Sequence, residues 1–264
     1  MTRTFPHAQT RPSGQADRTF VVNWERTPFG DEVLTEEAIA FSEGYGTGPG
    51  TDVLAVSFTG LDYVGHRYGP KSHEVQDLLL RLDIQIGRLL DTLDRRLGPN
   101  GYVLALSADH GVAPIPEQVA ALGLDGGRYL ARDLTTRLVE AWKPWASGDA
   151  NPIANNNGTD VYFTPAALAV LESTPAARRA MMAAALAQPG VLTGYWAADV
   201  TSAGPEDPIR TALARSYFPD RSADLLLVPK ANWMVGTGSM ATHGTPHTYD
   251  QRVPVLLMGW GIKP

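Results

Sequence analysis

Cysteine is absent from the 264 residues, so disulfides, thiolate metal sites and a cysteine nucleophile are all excluded. Basic clusters are equally scarce: none is longer than a pair such as Arg95-Arg96, and the formal charge is −6. A nucleic-acid groove needs a basic stripe, and the chain has none to offer. No run of about 18 apolar residues occurs, so no membrane-spanning segment is expected. The opening "MTRTFPHAQTRPSGQADRTF" lacks the apolar core of a signal peptide, which makes the cytoplasm the expected location of the chain as written.

What is present is the composition of a globular protein, with 44% hydrophobic and 19% charged residues. The length suits a single domain over 1–264, with an irregular N-terminus at 1–20. A short amphipathic helix is expected at 31–43, capped by Asp31. The run "DVLAVSF" (52–58) reads as a buried strand. Val75, Leu79, Leu82, Ile86, Leu89, Leu93 and Leu97 then recur at helical spacing, with Ser72 as cap and Gly98-Pro99 as stop. "YVLALSA" (102–108) reads as a second buried strand. Strand, helix, strand implies a βαβ unit and a mostly parallel sheet flanked by helices, an α/β fold. Residues 115–220 form a mostly helical insertion, with helices near 116–122, 129–142, 164–172 and 175–188 and strands near 160–163 and 191–198. Two apolar runs, 223–229 and 253–260, close the chain and bracket a long glycine-containing loop. Long loops inside a domain usually carry function.

The six histidines are informative. His7 lies in the polar N-terminus and His73 in the first turn of the long helix, where both are expected to face solvent. The other four, His66, His110, His243 and His247, fall in loops beside predicted strands. "LDYVGH" pairs Asp62 with His66, and "SADHG" pairs Asp109 with His110. Ligands in parallel sheets bind beyond the carboxyl ends of the strands, which would gather all four at one edge. Carboxylate and imidazole suit zinc and similar divalent ions. Two ligand pairs on adjacent strands could hold ions about 4 Å apart, the spacing of two-metal phosphoryl-transfer sites. Singly, each motif is as readily a helix cap or a glycine-rich turn with a solvated histidine. Their joint order at strand ends favours a metal site.

"DVLAVSFTGLDYVGHRYGPKSHEVQDLLLRLD", "LSADHG" and "THGTPHTYDQRVPVLLMGWG" together resemble the alkaline phosphatase superfamily, in the branch of the monomeric alkaline phosphatases and nucleotide pyrophosphatase/phosphodiesterases. The likeness runs over about 20–264 and implies a partial alkaline-phosphatase-like sandwich. By resemblance, Asp62, His66 and His243 bind a first zinc ion, and Asp109 and His110 bind a second. His247, at a position often aromatic in relatives, is expected as an auxiliary catalytic group.

The family pattern also has an earlier half, with a further metal-binding Asp and a Thr or Ser nucleophile, and neither is found before Asp62. The chain therefore reads as a truncated form resembling the C-terminal half. One firmly held zinc ion with three protein ligands, or two ions, with manganese as the other candidate, would then act by direct attack of metal-bound hydroxide. Arg67 and Lys71 read first as solvated surface residues and second as local candidates for a phosphate clamp. The expected activity is hydrolysis of small phosphate diesters or triesters with activated aryl leaving groups. One alternative is a phosphomonoesterase using Thr59 or Thr242 as nucleophile; another is a non-catalytic metal-binding fragment or half of a split enzyme. Apolar surface left uncovered by the missing half predicts a homodimer or higher homo-oligomer.

Overall fold

The computed structural model describes residues 17–44, 50–148, 151–201 and 206–263. His7 and most of the irregular N-terminus expected at 1–20 lie outside the described residues. Two compact units result, one from Met1–Asp109 with Pro254–Pro264 and one from His110–Val253.

The first unit is built on helices. Asp17 caps α1 (Arg18–Trp24), its side chain accepting from the Phe20 N–H at 2.8 Å. The next helix, α2, starts earlier than expected, at Pro28–Gly44, so Asp31 lies buried in its first turn rather than at its cap. Gly60–Tyr68 forms α3 and His73–Leu97 forms α4. Ser72 caps α4 as expected, accepting from Val75 N–H at 3.2 Å, and Gly98 ends it at φ +78°. The side of α4 that is buried carries Leu78, Gln85, Leu89 and Thr92, whereas Leu79, placed on the apolar stripe by spacing, is exposed. Val103–Ser107 forms β1, paired antiparallel with β8 (Val255–Gly259) from Val103↔Gly259 to Ser107↔Val255.

Two expectations fail in this unit. The run 52–58 is not a strand, and Val53 is 88% exposed. A strand exists through its ladder partner, and among the described residues nothing pairs with this segment. The βαβ unit therefore does not form here. The expectation of a mostly parallel sheet is also corrected, because the pairings are antiparallel except for one in the second unit.

In the second unit come α5 (Pro116–Ala121), β2 (Gly127–Tyr129), α6 (Ala131–Trp142) and a 3-10 turn at Lys143–Trp145. There follow β3 (Ile153–Asn156), β4 (Asp160–Phe163), α7 (Pro165–Ser173), α8 (Pro175–Leu186) and β5 (Val191–Trp196). The order continues with α9 (Ala197–Val200), α10 (Pro208–Ser216), β6 (Leu225–Pro229), β7 (Trp233–Val235) and α11 (Thr248–Gln251). Strands β3-β4-β6-β5 make an antiparallel sheet, while β2 and β7 pair in parallel. Every residue of β6 is buried, as its unbroken apolar run requires. Leu134, Leu138, Trp142, Val161, Met181 and Leu225 centre the core between this sheet and α6–α8. The expected insertion at 115–220 thus carries more sheet than helix periodicity suggested, and its central strand β6 comes from beyond 220.

Candidate metal centre

Asp62 and His66 do not lie in a loop. They sit four residues apart on α3, and one helical turn brings Asp62 Oδ1 to 3.3 Å from His66 Nε2. Both side chains remain partly exposed. The helix is fixed at each end by other elements. Thr59, its N-cap, makes no side-chain cap bond; instead Asp31 Oδ1 accepts the Gly60 N–H at 3.3 Å. A methyl group at Gly60 would run into the Asp31 carboxylate and stand 3.2 Å from Leu78 Cδ1, so only glycine admits this approach. Asp31 is 4% exposed, and burial pushes its carboxyl up, with the Gly60 N–H partly opposing. Near the other end, Arg67 Nη1 donates to Asn23 Oδ1 at 2.9 Å. Asp109 lies two residues beyond β1 and is exposed.

The second unit contributes His110 and His243, whose rings stack with centroids 3.3 Å apart and planes 13° from parallel. His110 Nδ1 is 2.8 Å from the Gly111 carbonyl oxygen. A carbonyl only accepts, so Nδ1 carries the proton and Nε2 keeps the lone pair a metal needs. His243 is held by bonds on both sides of it. Upstream, Arg128 donates to the carbonyls of Gly236, Ser239 and Met240 at 3.2, 2.8 and 2.9 Å, and Glu117 pairs with the same guanidinium. That guanidinium holds the Glu117 carboxyl below its ordinary range. Downstream, Asp250 Oδ2 accepts from the N–H and Oγ1 of Thr245 at 2.8 and 2.6 Å. Two main-chain bonds tie this loop to the His110 segment: Ala113 N–H to Thr242 O at 3.1 Å, and Gly111 N–H to Asp250 O at 2.6 Å. Thr242 thus contributes its carbonyl to the scaffold. His247 precedes α11; its Nε2 donates to Pro229 O at 2.8 Å and its ring lies 5.4 Å from that of Tyr249.

The structure therefore brings Asp62 to His66 within one unit and His110 to His243 within the other. Each pair offers carboxylate or imidazole donors without thiolate, a set that fits zinc. Sequence reasoning did not single out Arg128 or Asp250, and it read Asp31 only as a helix cap. The buried turn position of Asp31 and the "YDQR" placement of Asp250 become meaningful only once their partners are known.

The chain belongs to the type I phosphodiesterase/nucleotide pyrophosphatase family, whose profile matches residues 3–250, and so to the alkaline phosphatase superfamily. Alkaline phosphatase PafA of Elizabethkingia meningoseptica is 30% identical over 266 residues, covering 99% of this chain and 48% of that protein. Alkaline phosphatase PhoV of Synechococcus elongatus is 31% identical over 230 residues, covering 84% and 40%. The crystal structure of wild-type PafA aligns at a TM-score of 0.80 and 31% identity, over 90% of this chain and 46% of that one. The α/β class and the alkaline-phosphatase-like fold are thereby established, with the pairing differences given above. The chain spans less than half the length of these relatives. Among the described residues no helix is long and apolar enough to cross a membrane.

Proposed function

We propose that the chain is a metal-dependent phosphate-ester hydrolase in which Asp62, His66 and His243 hold one zinc ion and Asp109 and His110 hold a second. The supporting observation is the pairing of ligand-type side chains inside each unit, in a member of a phosphoesterase family. His110 and His243, assigned by resemblance to different ions, stack at 3.3 Å, which suits neighbouring ions about 4 Å apart. Such ions supply Lewis acidity toward phosphoryl oxygen and acidify water. The chain's own residues orient that chemistry: α3 presents Asp62 and His66 on one face, and Gly111 O fixes the His110 tautomer. His247 is an auxiliary group, its ring aimed by the Pro229 carbonyl.

The preferred substrates are diesters or triesters with activated aryl leaving groups. Arg67, the guanidinium next to His66 in sequence, has one of its N–H donors committed to Asn23, which leaves fewer donors for a monoester dianion. Phosphomonoester hydrolysis is a second reading, favoured by the alkaline phosphatase names of the relatives. Metal analysis with turnover of aryl mono-, di- and triesters separates the two. His66→Ala and His243→Ala should each lower turnover by more than about 100-fold, beyond the loss typical of outer-shell partners. Unchanged rates in both variants, or full activity after exhaustive chelation, would reject the site. A second copy of the chain is proposed as the partner in solution.

A further inference from the structure

Two histidines far apart in sequence are stacked face to face, and stacking alone does not hold their two segments in place. We propose that Asp250 is the positioning residue that sets the His110–His243 arrangement, by clasping both segments at once. This rests on the reading that both histidines bind metal. Its carboxylate takes two donors from Thr245, two residues past His243, and its main-chain carbonyl takes the Gly111 N–H, one residue past His110. Gly111 then passes the constraint on, because its own carbonyl is the acceptor that aims His110 Nδ1. The fit leaves no slack: a Cβ on Gly111 would run into the Tyr249 carbonyl oxygen and stand 3.4 Å from that of Arg252.

Burial gives the clasp its strength. Asp250 is 3% exposed, and charge-assisted bonds to a carboxylate are stronger away from water. Burial also has a cost, since Asp250 Oδ1 is enclosed without a hydrogen-bond partner among the described residues. A fold that merely needed a turn at 248–251 could use an uncharged residue there. Keeping a half-satisfied carboxylate is explained if its other oxygen fixes the loop that carries His243.

The test uses the full chain, with Asp250→Ala, Asp250→Asn and Thr245→Val. Two quantities are measured: amide hydrogen exchange in the metal-free protein and zinc affinity by competition with a chromophoric chelator. Asp250→Ala should speed exchange at Gly111 and over 242–247 by about 10-fold or more and weaken zinc binding about 10- to 100-fold, the range for outer-shell partners. Asp250→Asn keeps an acceptor for Thr245 and should restore both to within about threefold. Should Asp250→Ala fail to fold, Thr245→Val decides, because it removes only the Oγ1 donor and should move both readouts the same way by less. Parent-like exchange and zinc affinity in folded Asp250→Ala, or in Thr245→Val when that variant decides, would overturn the inference. If His243→Ala binds zinc as tightly as the parent, the metal reading falls, while the Asp250 clasp of the two segments stands or falls on the exchange measurement. The exchange arm identifies which of the two has failed.

Discussion

A carboxylate enclosed by helices is a liability at neutral pH, and Asp31 is such a group. Burial raises its pKa above the ordinary value, and the Gly60 N–H only partly offsets this. A raised folded-state pKa contributes stability that is full below the unfolded value and is lost as pH rises through the folded one. At neutral pH the folded protein therefore carries the cost of a buried charge. Asp31→Asn keeps an acceptor for Gly60 and discards the charge. It should melt a few degrees above the parent at pH 7–8, with the gap closing as pH falls toward 4. A variant that melts below the parent at both pH values would show that the ionised form is needed. None of this was legible beforehand: a lone aspartate near a helix start reads as a cap, and its partner Gly60 lies in another helix.

Elements differ in how plainly the chain announces them. Strands β4 and β6 and helices α4 to α8 came close to their expected places, since long periodic or unbroken apolar runs report burial directly; β8 also formed where expected, although it remains exposed. The run 52–58 shows the limit, because apolarity signals a need for cover but does not name the ladder partner. The candidate ligands were legible as residue types, yet the helix that joins Asp62 to His66 was not, being short and broken up by Gly60 and Gly65. The loop before His243 was legible only as long. Its order depends on Arg128, a planar fork that serves three carbonyls and Glu117 together. Lysine offers a point charge and cannot span that set. Arg128→Lys should therefore cost about 1–3 kcal/mol in denaturant unfolding and speed amide exchange over 236–243. Unaltered stability and exchange would mean that the loop is held by its other contacts.

The whole molecule presents a surface problem in its first unit. Strand β8 is exposed on both faces: Val255 and Leu257 alternate with Leu256 and Met258, and all four remain in contact with solvent. Trp260, beyond the strand, is 70% exposed, and Leu79, Leu80 and Ile84 of α4 are exposed as well. A two-stranded ribbon is marginal in water, and apolar area of this kind marks an interaction surface. A second copy could add its own ribbon edge to edge or pack a face against this one, and a closed twofold dimer would leave no ribbon uncovered. Light scattering on the purified chain should then give twice the mass of one chain. Leu257→Lys places a charge on one face of β8 and Leu256→Lys on the other, so the face used in the interface is the one whose variant shifts the mass toward the monomer. A parent that is monomeric at micromolar concentration would sink the dimer outright. Association that survives both substitutions would instead move the interface away from β8, to the exposed apolar residues of α4.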